Sequence, residues 1–134
     1  MARTNVTYAL KAIFDADATV TGIVGTKHYA GRALQETALP YIVFDIVSNE
    51  PTNEKDGASP VDAVRVQVDC YAATYLGVEA LNDAVRDALD AYPTATTIGG
   101  VKIDGILYIT ENGAIEEDTD IYRRSSDYQV RIKY

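Results

Sequence analysis

The chain has 134 residues, 47% apolar and 24% charged, which is the size and composition of one ordinary domain able to bury a real core. Its formal charge of −8, with 12 Lys and Arg against 20 Asp and Glu, argues against a protein that grips phosphate backbones, which needs clustered cations. One cysteine and one histidine exclude an internal disulfide framework and a four-ligand zinc site, and no run approaches the ~20 apolar residues of a membrane span, so a reducing, cytosolic setting is expected.

From the N-terminus, Val6, Leu10, Ile13 and Phe14 fall on one helical face and predict an amphipathic helix over 4–15. Asp15, Asp17 and Thr19 mark a break and a new cap, followed by a short helix through Val20, Ile23 and Val24 that Gly25 can end. Residues 26–39 are mixed, with a short strand at His28-Tyr29 and a loop through Gly31 and Gln35. Pro40 then leads into a β-branched and aromatic run, 41–47, that is nearly apolar on both faces and reads as a central strand.

Residues 48–60 (SNEPTNEKDGASP) hold two prolines, a glycine and mostly polar side chains, and predict a long mobile hairpin loop. Over 63–72 the pattern alternates cleanly, with Val64, Val66, Val68 and Cys70 on a core face and Arg65, Gln67, Asp69 and Tyr71 on a face that meets water or another subunit. Thr74 is a suitable N-cap for the main helix. There Val78, Leu81, Val85, Ala88 and Leu89 form the apolar stripe, Glu79, Asp83, Arg86, Asp87 and Asp90 the solvated face, and Pro93 the stop.

A turn at Gly99-Gly100 precedes a strand over 101–110, an acidic turn over 111–120 containing Asn112-Gly113, and a long strand over 121–134. In that last strand Tyr122, Tyr128, Val130, Ile132 and Tyr134 share one face, opposed by Arg123, Asp127, Gln129, Arg131 and Lys133. The expected fold class is α+β: a mostly antiparallel β-sheet with an N-terminal kinked helix and one long central helix packed on one face. Residues 1–134 are expected to form a single domain with mobile loops near 48–60 and 111–120.

The inventory for chemistry is thin. His28 is the sole imidazole, and no serine sits in a Gly-x-Ser-x-Gly turn, so nucleophilic catalysis reduces to a Cys70/His28 dyad. Cys70 continues an apolar strand face, where a thiol acts as a small hydrophobe, and His28 reads as a partly exposed loop or strand-edge residue. Asp15-Ala16-Asp17 and 116–120 are acidic enough to attract a cation, but neither completes a calcium loop. Ile98-Gly99-Gly100-Val101 lacks the Gly-Lys-Ser/Thr of a phosphate cradle and reads as a turn. No catalytic, cofactor or metal site is expected.

The ten tyrosines, against two phenylalanines and no tryptophan, suit half-buried positions and protein interfaces. Tyr122-Arg123-Arg124 is the one local basic-aromatic cluster, too small to make a nucleic-acid stripe.

The order of elements is itself informative. A helical lead, a short strand at Lys27-His28-Tyr29, Ala38-Leu39-Pro40-Tyr41-Ile42-Val43-Phe44, a polar segment, Val64-Arg65-Val66-Gln67-Val68-Asp69-Cys70-Tyr71-Ala72, and a helix with Ala84-Val85-Arg86-Asp87-Ala88-Leu89 together resemble the tail terminator or tail-completion (head-tail joining) proteins of long-tailed bacteriophages and prophages. The resemblance covers nearly the whole chain and rests on packing patterns. It implies a non-enzymatic structural protein of the virion, assembled in the host cytoplasm, that forms a homohexameric ring. That ring would cap the tail tube, end its polymerisation and join it to the head connector.

The implied partners are further copies of this chain, the tail tube protein and the head-tail connector protein, with DNA only as passing cargo and no membrane. A connector-side neck protein and, from another class, a small cytosolic enzyme or ligand-binding domain using His28 and loop carboxylates are the rival readings. The polar segments around Glu50, Glu54, Lys55 and Asp56 and around Glu116, Glu117, Asp118 and Asp120 are the candidate ring or tube contacts; solvated hairpin tips would look the same.

Overall fold

The computed structural model describes every residue except 1, 34–36, 55–56, 93–95, 99, 113–114, 119–120 and 134. Three helices, α1 (Ala2–Ala16), α2 (Ala18–Val24) and α3 (Tyr75–Asp90), accompany seven strands: β1 (His28–Ala30), β2 (Tyr41–Glu54), β3 (Gly57–Ala72), β4 (Thr96–Ile98), β5 (Val101–Glu111), β6 (Ile115–Asp118) and β7 (Ile121–Lys133). The strands form one sheet in the order β1-β2-β3-β7-β5-β4, with β6 also paired to β7. Only the β1–β2 pair is parallel. The fold is α+β, as the sequence predicts.

The helical lead breaks where its polar residues require. Asp17 has extended backbone, and its Oδ1 accepts from the amides of Thr19 and Val20 at 3.0 Å, so the donors opening α2 are satisfied by a side chain. At the other end Gly25 adopts φ +62°, a left-handed conformation that costs glycine little, and its amide bonds the Thr21 carbonyl. Thr74 caps α3 by accepting from the Gly77 amide at 3.0 Å. The helix ends at Asp90, before Pro93, which lies outside the described residues.

All three helices lie on one side of the sheet. Val6, Leu10, Ile13 and Phe14 of α1, Val20 and Val24 of α2, and Val78, Leu81, Val85 and Leu89 of α3 bury against Val64, Val66, Val68 and Cys70 of β3 and Tyr128, Val130 and Ile132 of β7. The period of 3.6 in the helices and of two in the strands thus meet in one apolar layer. Removing a large member such as Leu89 or Phe14 from water contributes about 1.5–3 kcal/mol.

Four expectations are corrected. Within 48–60 the described residues, 48–54 and 57–60, are strand and not loop: β2 continues to Glu54 and β3 begins at Gly57, with Glu50 opposite Ala63 and Glu54 opposite Gly57. Polar composition predicts solvation, but a hairpin ladder satisfies its backbone groups whatever its side chains are. The acidic segment 111–120 contains the end of β5 and all of β6, which pairs Glu116 with Tyr122 and Asp118 with Ile121. The run 41–47 is not apolar-buried on both faces: Ile42 and Phe44 are buried, whereas Asp45 and Val47 are exposed, because no helix covers their side. Finally, β4 escaped the pattern reading; Thr96–Ile98 pairs with Val101–Ile103 across the turn in which Gly100 has φ +80°.

Candidate functional site

The face of the sheet away from the helices is bare. Its side chains are Tyr41, Val43 and Asp45 of β2, Arg65, Gln67, Asp69 and Tyr71 of β3, and Arg123, Ser125, Asp127, Gln129 and Arg131 of β7, alternating with the buried set. Neighbours across strands pair laterally. Arg65 donates to Asp127 Oδ2 from Nε at 3.0 Å and from Nη2 at 2.6 Å. Asp69 Oδ1 accepts from Gln67 Nε2 at 3.0 Å and from Ser125 Oγ at 2.5 Å. Arg65–Asp127 is diagonal and Asp69–Ser125 directly opposite across β3 and β7, the cross-strand contacts that stabilise a sheet face, while Gln67–Asp69 runs along β3.

At one end of this face, Tyr41 and Tyr71 stack with ring centroids 4.8 Å apart. They line a cavity of about 360 Å³ together with Gly31, Arg32, Ala33, Val43 and Asp69. Burial pushes both phenols above their ordinary value, and at Tyr71 the Asp69 carboxylate adds to it. Further along, Ser48, Ala63, Arg65, Ile109 and Gln129 line a smaller cavity of about 140 Å³. Val47, Leu107 and Ile109 are 52%, 49% and 41% exposed on this side, a level of apolar exposure absent from the helix-covered layer.

On the covered side the same strand β7 carries a polar knot. Arg124 is 9% exposed; its Nε donates to Glu79 of α3, its Nη1 donates to the Asn112 carbonyl at 3.0 Å, and the guanidinium lies 3.7 Å from Glu111 Oε1. Asn82 Nδ2 donates to Glu111 Oε2 at 2.9 Å, and Ser126 Oγ donates to Asn82 Oδ1 at 2.8 Å. The knot ties α3 to β5 and β7, with each buried polar group answered. Sequence reasoning did not find it, although one signal was present: Arg124 and Ser126 share the parity of Tyr122, Tyr128 and Val130, so they had to enter the core side with partners.

The structure changes the reading of His28. It is 1% exposed, not partly exposed. Its Nε2 lies 2.7 Å from Asp15 Oδ1, Lys11 Nζ lies 3.4 Å from Nδ1 and donates to the His28 carbonyl at 2.8 Å, and Phe14 packs on its ring at 5.7 Å. Although β1 is only three residues long and lies at the sheet edge, its first residue is buried because α1 lies over it, while Ala30 is exposed. Cys70 is buried as expected, and burial, then the neighbouring Asp69, pushes its thiol above the ordinary value. His28 and Cys70 both stand opposite Ile42, on either side of β2, so about two strand spacings, roughly 10 Å, separate them. That separation is too great for a nucleophile and its base.

The acidic motifs are likewise absorbed. Asp15 meets His28, Asp17 caps α2, and no group of three metal-ligating side chains occurs among the described residues. The Tyr122-Arg123-Arg124 cluster does not present free cations: Arg124 is enclosed, and Arg123 hydrogen-bonds Tyr71. Of the candidate contact residues, Glu50 and Glu54 lie on β2 and Glu116, Glu117 and Asp118 on β6; Lys55, Asp56 and Asp120 lie outside the described residues. The fold does not bring the two groups together. Glu50 is opposite Ala63, and Glu116 is level with Ala72 through Tyr122, so about nine residues of β3, or ~30 Å, separate them.

No curated protein matches the sequence. Among solved structures, the fold is similar to a chain from the virion of a native gene transfer agent particle, with TM-score 0.74 at 18% identity, covering 99% of this chain and 96% of that one. A second solved chain matches with TM-score 0.61 at 10% identity, covering 100% of this chain and 97% of the other. No helix among the described residues is long and apolar enough to cross a membrane. The sequence matches the family described as tail completion protein gp17 over residues 8–133, and the chain therefore belongs to that family: it is a structural protein of the bacteriophage virion, placed in the tail and neck.

Proposed function

We propose that this chain is the subunit of a homohexameric ring that caps the tail tube, ends its polymerisation and supplies the joint to the head connector. The observation that carries the reading is family membership across nearly the whole chain. The geometry fits it: helices cover one face of the sheet, while the other face and the sheet edges carry no layer of their own among the described residues. Tail tube protein and connector protein are the proposed partners on the two ends of the ring. The hairpin of β2 and β3 around Glu50 and Glu54, and β6 with Glu116 to Asp118, are the proposed arms that reach them.

The role is non-enzymatic. His28 is enclosed between Asp15, Lys11 and Phe14, and Cys70 is held in apolar surroundings two strands away. The acidic balance has a use in a ring beside DNA. A charge of −8 per copy amounts to about −48 around a hexamer, enough to discourage DNA from adhering as it passes.

Mixing the purified protein with tail tubes, then imaging the tube ends and measuring tube length, tests the reading. A ring of density at one end, with elongation stopped, is the expected result. Binding to purified connector but not to tubes would assign the chain to the connector side of the neck instead.

A further inference from the structure

Among the described residues, the two flanks of the sheet are each only partly covered. On β2, β1 occupies the outer edge opposite Ile42 to Phe44, and residues 45–54 have no strand beyond them. On β5, β4 occupies the edge at Val101 to Ile103, the Ile106 amide is bonded to the Tyr92 carbonyl, and residues 107–111 have no strand beyond them.

The pairings show that these two bare stretches stand at the same height. Asp45 is level with Gln67, Asp127 and Thr110, and Ser48 is level with Arg65, Gln129 and Leu107. Each stretch is interrupted by a bulge, between Ile46 and Ser48 on β2 and between Tyr108 and Thr110 on β5. The extra residues are Val47 and Ile109, two of the exposed large apolar side chains, and Leu107 adjoins the second. Three strand spacings, about 14 Å, and the Arg65–Asp127 pair separate Val47 from Leu107 within one copy, while Ile109 lines the small cavity over the bare face with Ser48, Arg65 and Gln129.

We propose that the two flanks are the two halves of one contact between copies of this chain, with Val47 of one copy packing against Leu107 of the next. Two different surfaces on opposite flanks generate a head-to-tail contact, which forms a ring when the rotation closes. In a closed ring whose axis runs along the strands, copies are related by rotation without translation, so segments at equal height on the strands are the ones that meet, as these do. Because β2, β3, β7 and β5 alternate in direction, the β5 of one copy and the β2 of the next run antiparallel, and neighbouring sheets continue one another. The bulges limit this to a short side-chain contact and discourage indiscriminate strand pairing by the free subunit. The inference rests on the ring reading above and names the surfaces that would close it.

The test uses single-cysteine variants with a short bis-maleimide, since the native Cys70 is buried and stays unreactive. In assemblies whose ring form is verified by imaging, Val47→Cys mixed with Leu107→Cys gives cross-linked dimer, neither variant alone gives any, and the double variant gives a ladder up to the closed ring. Val47→Glu or Leu107→Lys alone removes the ring-sized species, and the two together on one chain restore it. Far-UV circular dichroism checks that these exposed substitutions leave the fold intact.

Rings that form without the mixed cross-link overturn this pairing alone. So does Val47→Cys linking to itself, which means a two-fold contact, and so does a cross-link to tube protein instead of a second copy. Wild-type protein that forms no ring even with tubes present overturns the ring reading and this inference with it.

Discussion

At adjacent residues of β7, the chain meets two different environments. Tyr128, Val130 and Ile132 are fully enclosed by helices, whereas Asp127, Gln129 and Arg131 stand on the bare side, where Asp127 pairs with Arg65 of β3 and Arg131 with Asp104 of β5. The covered side holds the fold by burial that cannot be supplied by any partner outside the chain. The bare side holds its shape through pairs that water can largely replace. Changes on the first side should therefore act on stability, and changes on the second on association.

The sharpest way to break this contrast is Phe14→Ala. Phe14 packs against Phe44 and His28, with ring centroids at 5.8 and 5.7 Å, and its loss should lower unfolding free energy by about 3–5 kcal/mol in urea titration. A loss under 1 kcal/mol would mean that the helical lead is not part of the cooperative core. Arg124→Met is next. It leaves Glu79 and Glu111 without their cation, and because both keep some contact with water the expected loss is about 2 kcal/mol, below the 3–5 of a fully enclosed pair.

Alkaline pH probes the covered side from another direction. The Cys70 thiol and the Tyr128 phenol are both held above their ordinary values by burial, so each stays protonated in the fold while the unfolded chain releases its proton. Their contribution is fully present below the unfolded values, near 9 for the thiol and 10 for the phenol, and declines as pH rises beyond them. Between pH 8 and pH 10 the thiol should account for about 1.4 kcal/mol of lost stability. Cys70→Ala should flatten that part of the curve, and an unchanged slope would show that the thiol is not enclosed.

The smallest effect is expected on the bare side. A double-mutant cycle on Arg65→Ala and Asp127→Ala should give a coupling of about 0.2–1 kcal/mol, because Arg65 is 42% exposed. Coupling as large as that of Arg124 would erase the distinction between the two faces.

Much of the fold was legible in the sequence because its signals are local. The break at Asp17, the stop at Gly25, the Thr74 cap, the α3 stripe and the alternation over 63–72 each depend on a few neighbouring residues whose backbone and burial preferences agree. The hairpin over 48–60 and β6 were illegible for the converse reason. Their side chains are polar, and what makes them strands is the ladder offered by a partner segment distant in sequence.

The candidate contacts divide in the same way. Composition pointed to acidic segments such as Glu50 and Glu116, while Val47 and Leu107 became visible only when the sheet order put β2 and β5 on opposite flanks. By itself, then, the sequence determined the acidity, the absence of a disulfide or zinc framework, the helices and the buried faces of the strands, since these follow from side-chain chemistry at short spacing. Only the tertiary structure decided which face stays bare, where His28 and Arg124 find their partners, and which edges lie level with each other. Those depend on long-range pairing, and a period-two pattern specifies a face without naming its neighbour.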